Sequence, residues 1–390
     1  CGSEIVWDRL LHACNGLRTL EGEPELGLDV GGRVPDVDLT ATGATADRLR
    51  RVRRAGHMTR MFLGAALMAF EEAQIRDPAT IRRLGAAVGT GPIFPERVDH
   101  EGLADLPPTR FLETYPNIHL SYLHALAPFS GPASTFTTAC IGGAQAIGQA
   151  LSLIRWNEAD VVLAGGVDSK FAPAFVSGFR RLGMLSTEHD PEHLMRPFDR
   201  TRAGMAMSEG AGVLVLEELQ HALQRGCTPL AEVLGFGCCA DGASLTEAGH
   251  DGKARAMREA LAAARVHPEQ IDYVNAHGTS TRSNDREEWL ALTEVFGRRA
   301  SAIPVNSTKS MLGHTFAACG AIEAVVCVLC LLDQVVHPTR SFHEADEGCE
   351  LDVVRGIARR TTIGHCMSNN SALGGYHASL VFGGLDASAA

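Results

Sequence analysis

Hydrophobic residues along the chain come in two spacings, and the alternation between them predicts the architecture. Residues 4–17 place Trp7, Leu10, Leu11 and Leu17 on one side of an amphipathic helix. Residues 21–45 are rich in Gly and Asp and read as loop. Residues 46–60 carry six arginines, Arg48, Arg50, Arg51, Arg53, Arg54 and Arg60, and continue as helix through 61–73. Short apolar runs bounded by turn residues predict buried strands at 86–91, 160–166, 210–217, 271–275 and 378–382. A strand starting at Thr135 leads through Cys140 into a helix that ends near Trp156. Further helices are predicted at 253–264, 286–296 and 317–332. Residues 92–130, with Pro92, Pro95, Pro107, Pro108 and Pro116, and the polar stretch 186–204 read as irregular. Strands alternating with helices imply an α/β layered fold. Neither a linker nor a clear internal repeat divides the chain.

Composition narrows the class. The 390 residues are 45% hydrophobic and 21% charged, which gives ample material for one large core or two fused ones. A net charge of −11 disfavours a nucleic-acid partner, although a local basic patch stays open. Eleven cysteines, an odd number with Cys238 and Cys239 adjacent, do not read as a disulfide framework. Free thiols in a reducing cytoplasm are the simpler reading. Residues 1–30 lack a basic start followed by an apolar block, so no signal peptide is expected. The apolar run 321–332 is short for a bilayer and contains Glu323, so no membrane span is expected.

Three segments stand out chemically. Thr137-Thr138-Ala139-Cys140-Ile141-Gly142-Gly143 puts a thiol at a strand-to-helix turn. A helix N-terminus there is expected to favour thiolate, and Gly142 and Gly143 to leave room for a substrate at the sulfur. Asn275-Ala276-His277-Gly278-Thr279-Ser280-Thr281 puts His277 on a strand-end loop. Lys309-Ser310-Met311-Leu312-Gly313-His314 puts a second histidine just before the apolar helix. Lys309 is placed to pair with Glu323, to keep His314 uncharged and to help ionise Cys140. One nucleophile with two neutral hydrogen-bond donors suits attack on a thioester and stabilisation of an enolate. His189 and His193 flank Asp190-Pro191, which breaks helical register and disfavours a zinc site. Cys327 and Cys330 read as core residues, and Gly89-Thr90-Gly91, followed by Pro92 and Pro95, does not read as a dinucleotide fingerprint.

Taken together, these segments resemble the β-ketoacyl-acyl carrier protein synthases, condensing enzymes of the thiolase fold. The resemblance is close from about Gly131 to Phe382 and includes Arg196-Pro197-Phe198-Asp199, Arg202-Ala203-Gly204, Glu209-Gly210-Ala211-Gly212, Asp285, Glu288 and Ala321-Ile322-Glu323. It implies two related α/β halves, residues 1–228 with the nucleophile and 229–390 with both histidines, stacked as an α-β-α-β-α sandwich. It implies acyl transfer to Cys140, decarboxylation of malonyl-carrier under His277 and His314, and release of a 3-oxoacyl-carrier with CO2. By the same resemblance the backbone amides of Cys140 and Leu373 form an oxyanion hole, and Thr279 and Thr281 hold the phosphopantetheine arm. The substrates travel on acyl carrier protein, with no bound cofactor or metal. The protein is expected as a homodimer, or as a heterodimer with a chain-length factor. Arg50, Arg53 and Arg54 would form a basic patch for the acidic carrier. Two alternatives stay open: an acyltransferase or thiolase-like enzyme on the same fold, and a non-catalytic, chain-length-setting partner subunit, which an intact Cys140 speaks against.

Departures from the family pattern carry information too. The chain begins at what resembles the end of the first βα loop, so the usual N-terminal strand is expected to be missing. In Asn370-Ser371-Ala372-Leu373-Gly374-Gly375-Tyr376-His377, Leu373 stands for the gating aromatic and Ser371 for another, while Met205 stands where phenylalanine is common. These three positions would reshape an acyl tunnel for a specialised chain, such as a polyketide or polyene intermediate.

Overall fold

The computed structural model describes residues 2–21, 26–42, 44–93, 111–127, 129–242, 244–246 and 249–385. Strands β1 (Leu84–Thr90), β2 (Ala133–Phe136), β3 (Val161–Asp168) and β4 (Gly210–Glu217) form one sheet in the order β2-β1-β3-β4. Strands β5 (Glu232–Ala240), β6 (Tyr273–Asn275), β7 (Pro304–Asn306), β8 (Asp352–Val353), β9 (His365–Ala372) and β10 (Tyr376–Gly383) form a second, in the order β8-β7-β6-β9-β10-β5. The run β2-β1-β3-β4 repeats as β7-β6-β9-β10. In each, the first three strands are parallel and the fourth is antiparallel. The two halves are therefore related in structure although their sequences carry no visible repeat. At the outer edge of the second sheet β5 pairs antiparallel with β10; β4 holds the equivalent edge in the first.

Helices fill three layers around these sheets. The described helices that build them are α1 (Ser3–Leu11), α2 (Ala46–Val52), α3 (His57–Glu72), α4 (Ile118–Leu126), α5 (Gly142–Arg155), α6 (His250–Ala264), α7 (Arg282–Phe296) and α8 (Cys319–Asp333). Helices α5 and α8 touch each other and both sheets, so they form the middle layer. Helices α3 and α4 cover the outer face of the first sheet, and α6 packs on the outer face of the second with α7 against it. This is the expected α-β-α-β-α sandwich. Side-chain alternation explains it. Leu84, Ala86, Val88, Leu163 and Val167 point to the α3–α4 core, while Ala87, Val162 and Ala164 point to the central core. In the second sheet Val274, Met367 and Val381 face outward, and Tyr273, Cys366, Leu380 and Phe382 face α5 and α8.

Several boundaries differ from the sequence reading. The first helix stops at Leu11, because Ala13 takes a left-handed φ of 53°; Leu17 is still buried. Residues 46–73 split at 53–56 into two helices. Of the segment read as irregular, Ile118–Leu126 is helix, and residues 94–110, with Pro95, Pro107 and Pro108, lie outside the described residues. Strands β5, β7, β8 and β9 went unread. Helix α8 with its preceding turn, Phe316–Asp333, is long and apolar enough by length and composition to cross a membrane, but it is packed between the two sheets. All ten described cysteines carry free thiols, and Cys327 and Cys330 sit in the core.

Candidate active site

Strand β2 delivers the chain to Cys140 through a strained corner. Ala139 has a φ of 48°, a left-handed conformation uncommon outside glycine, and Ala139–Ile141 form one 3-10 turn ahead of α5. Thr138 Oγ1 donates to Gln145 at 2.6 Å and braces that corner. The glycines that follow do not open space for a substrate, as the sequence suggested. A Cβ on Gly143 would lie 2.8 Å from Ala317 O and from Ala321 N, and one on Gly89 would lie 2.0–2.3 Å from Gly142 and Gly143 backbone. The missing side chains let the N-terminal ends of α5 and α8 approach closely, which brings the Cys140 turn against the segment after His314.

The thiol itself is also not poised as expected. Burial pushes Cys140 from 9.0 up to about 12, and the nearby Lys309 ammonium offsets only part of this. That rise corresponds to about 4 kcal/mol, more than the ~0.3–2 kcal/mol a helix end supplies.

His277 lies at the end of β6, in a loop clasped by two carboxylates from the first turns of α7. Glu288 accepts from the His277 and Gly278 amides at 2.7 and 2.8 Å, and Asp285 accepts from the Thr279 amide at 3.0 Å. Gly278 has a φ of 37°, and a Cβ there would meet Ser307 at 2.6 Å, so the loop admits only glycine. Burial holds the His277 imidazole well below its usual range, and Lys309 and His314 push the same way. Its Nδ1 is buried without a hydrogen-bond partner among the described residues.

His314 is threaded between backbone groups. Its N–H donates to Ala206 O at 2.9 Å, and its carbonyl accepts from Ser208 N at 3.0 Å. The Phe316 amide donates to its Nδ1 at 3.1 Å, and the ring stacks on Phe316 with centroids 4.8 Å apart. Burial and the Lys309 charge hold this imidazole too well below 6.5. A neutral ring whose Nδ1 accepts must carry its hydrogen on Nε2. The two imidazoles meet edge to face, 5.4 Å between centroids. Lys309 Nζ donates to Glu323 at 2.5 Å, and Asn370 Nδ2 donates to the other carboxylate oxygen at 2.7 Å. All three side chains are buried. The Lys309 charge favours ionisation of Cys140 and disfavours protonation of His277 and His314.

The remaining sequence-predicted residues are spread more widely. Thr279 and Thr281 share a hydroxyl–hydroxyl bond of 2.8 Å just beyond His277. Met205 is buried in the same apolar cluster as Cys140 and Phe316. Leu373 is half-buried in the turn that joins β9 to β10. Ser371 is not beside them. On β9 the even positions face α8, as Asn370 does toward Glu323, and Ser371 faces the opposite side, where its Oγ accepts from Lys253 at 2.8 Å. Arg50, Arg53 and Arg54 are exposed; Arg50 and Arg51 pair with Asp47, while Arg53 and Arg54 have no ion pair among the described residues. His189 pairs with Asp29 and His193 with Asp190, both on the surface.

Sequence reasoning missed Asn370 and the pair Asp168–Lys170. Asp168 accepts from Lys170 Nζ at 2.5 Å and from the Ala317 amide at 3.1 Å, tying β3 to the turn after His314. The available signal was an Asp at the end of an otherwise apolar strand.

Comparison with known proteins follows this geometry. Residues 4–222 match the family model for the beta-ketoacyl synthase N-terminal domain, and residues 230–343 match that for its C-terminal domain. The chain is 33% identical over 389 residues to the 3-oxoacyl-[acyl-carrier-protein] synthase 2 of Coxiella burnetii, covering 96% of this chain and 93% of that protein. It is 43% identical over 257 residues to a putative polyketide beta-ketoacyl synthase 1 of Streptomyces cyaneus, covering 65% and 61%. Its fold is similar to a crystal structure of a beta-ketoacyl synthase from Burkholderia phymatum, with a TM-score of 0.89, 33% identity and 97% and 94% coverage. It is also similar to the ishigamide ketosynthase/chain length factor, with a TM-score of 0.86, 30% identity and 98% and 95% coverage.

Proposed function

The chain belongs to the β-ketoacyl synthase family, and from that membership we propose that it catalyses the decarboxylative condensation of an acyl group with malonyl-acyl carrier protein. In the first half-reaction the Cys140 sulfur attacks an acyl thioester on the carrier's phosphopantetheine. The acyl group moves to Cys140, and the carrier leaves as a free thiol that takes the cysteine's proton. The amides of Cys140 and Leu373 receive the oxyanion of that step, and Thr279 and Thr281 hold the pantetheine arm. In the second, malonyl-carrier loses CO2, and its thioester oxygen becomes an enolate. The Nε2–H of His314 and the ring of His277 donate to that oxygen. The enolate carbon attacks the acyl carbonyl on Cys140, a 3-oxoacyl-carrier forms, and the released sulfur regains a proton.

One observation carries this reading: two neutral imidazoles meet edge to face beside a buried ammonium, and the Phe316 amide fixes the donor tautomer of one of them. Neutral donors in a water-poor site strengthen as negative charge develops and need no reorganisation. Burial pushes the Cys140 thiol up, which fits a first half-reaction in which its proton passes to the leaving thiol.

The division at 228/229 assigns the nucleophile to one half and both histidines to the other. Substrate preference follows from Met205 and Leu373, where smaller or more flexible side chains stand in for aromatics. Together with the 43% identity to the Streptomyces polyketide relative, they support a specialised polyketide or polyene acyl chain. Arg50, Arg53 and Arg54 meet the acidic carrier, and a second ketosynthase-like chain, identical or of the chain-length type, completes the assembly in the cytoplasm. The test is to supply acyl- and malonyl-carriers and follow CO2 and 3-oxoacyl product. His277→Ala and His314→Ala should each lower CO2 release by about 100–1,000-fold. Retention of full release in either variant sinks the assignment, and a strict preference for plain saturated C4–C14 chains sinks the substrate class.

A further inference from the structure

Lys253, on α6, is 3% exposed, yet among the described residues its ammonium pairs directly with no carboxylate. Nζ donates to Asn284 Oδ1 at 2.9 Å and to Ser371 Oγ at 2.8 Å, two neutral oxygens on different elements. Burying a charge on such partners is costly, and an apolar side chain of that length would serve packing better. Burial lowers its proton affinity; Glu288, Asp285, Glu287 and Asp241 act through space to raise it.

Both partners lead onward. Ser371 Oγ lies 3.1 Å from His377 Nδ1, and His377 Nε2 lies 2.9 Å from Asp241 Oδ2. Because Lys253 donates to Ser371, the serine hydrogen goes to Nδ1, and Nε2–H goes to Asp241. Asp241 is pressed against the β9–β10 turn: its amide donates to Gly375 O at 2.9 Å, and a Cβ on Gly375 would fall on its carboxylate. In the other direction Asn284 Nδ2 donates to Asp285 Oδ1 at 3.1 Å, and that same oxygen accepts from the Thr279 amide at 3.0 Å. One unbroken chain of hydrogen bonds thus joins the Leu373–Gly375 turn to the His277–Thr279 loop, with Lys253 at its centre.

We propose that Lys253 is a positioning residue that holds the turn carrying the Leu373 amide and the loop carrying His277 in one frame, so that acyl transfer and decarboxylation share a register. This rests on the condensing activity proposed above. The two arms separate the two half-reactions: Ser371 leads to the turn, and Asn284 leads to the loop.

The experiment measures acyl loading of the chain and CO2 release separately, with acyl- and malonyl-carriers, for the wild type, Lys253→Met, Ser371→Ala and Asn284→Ala, alongside each Tm. Misplacement of a reacting group by an ångström can cost about 100-fold. Ser371→Ala should therefore slow acyl loading about 10-fold more than CO2 release, and Asn284→Ala should do the reverse. Lys253→Met should lower kcat for both by about 10–100-fold with KM little changed. If Lys253→Met does not fold, the opposite skews of the two single-arm variants decide alone. Variants that lose Tm while the ratio of the two half-reactions stays at the wild-type value overturn the proposal, because a merely structural network would behave that way. A wild-type chain that performs neither half-reaction overturns the functional reading and this inference with it, and is recognised before any substitution is made.

Discussion

The Phe316 amide reaches His314 Nδ1 at 3.1 Å and so decides which nitrogen of that ring can donate. Phe316 itself takes a left-handed φ of 48° and opens the short 3-10 turn Phe316–Ala318 that leads into α8. Ala139, with the same φ, precedes Cys140 at the matching point of the other half. Removing the ring in His314→Ala should lower CO2 release from malonyl-carrier by about 100–1,000-fold, the usual cost of one oxyanion donor. Since burial holds His277 and His314 well below 6.5, wild-type CO2 release should stay level between about pH 6 and 8. An acid limb centred near 6.5 would show that a histidine titrates in the site.

Lys309 and Glu323 form a buried pair whose partners are not interchangeable. Burial pushes the Glu323 carboxyl up and the Lys309 amine down; the 2.5 Å contact opposes burial at both groups, and Asn370 opposes it at Glu323. Lys309→Met leaves the carboxylate facing only Asn370 and should cost about 3–5 kcal/mol in urea unfolding. Adding Glu323→Gln should recover much of that loss. A double variant no more stable than the single one would mean that the two groups do not act as a pair.

His119 is fully buried between Thr59 and Thr90, with its nitrogens 3.0 and 3.1 Å from their hydroxyls. Burial holds it at about 3, against about 6.5 in an unfolded chain. Below 6.5 the unfolded chain takes up a proton that the folded chain refuses, so this group removes stability as pH falls. Relative to His119→Gln, the wild type should lose about 1.4 kcal/mol per pH unit between about 6 and 3.5, with no change above 7. Unfolding curves of both proteins across that range check the slope, and a difference independent of pH would contradict it.

Arg53 and Arg54 stand exposed at the end of α2, beside a helix that offsets two of its other arginines with Asp47. Reversing both to Glu should raise KM for carrier-borne substrate without lowering kcat for loaded enzyme. The effect should shrink with salt, as expected for exposed charges beyond a Debye length of about 8–10 Å. An unchanged KM at low salt places the carrier elsewhere.

The strand–Cys140–helix turn and both histidine loops were legible because each combines a reactive residue with glycine and a strand boundary. The layered fold was legible because buried strands read as apolar runs and helices as periodic ones. Strands β7 and β9 escaped because Asn306, Ser368, Asn369 and Asn370 break the apolar run: these strands bury polar side chains, of which Asn306 and Asn369 pair across the sheet and Asn370 with Glu323. The roles of Gly142 and Gly143 were misread because a close helix–helix approach leaves no trace in a single segment. The side Ser371 takes was not legible because the face of a strand residue depends on register, and a one-residue step reverses it. Its partner Lys253 lies 118 residues away, at a distance no local pattern records.

The central claim is that Cys140 carries the acyl group. Incubation of the protein with an acyl-carrier, followed by proteolysis and mass spectrometry, tests it most directly. The account predicts that the peptide containing Cys140 gains the mass of the acyl group and loses it when malonyl-carrier is added, with 3-oxoacyl-carrier and CO2 appearing together. An acyl group found on another residue, or product formed at full rate by Cys140→Ala, would contradict it.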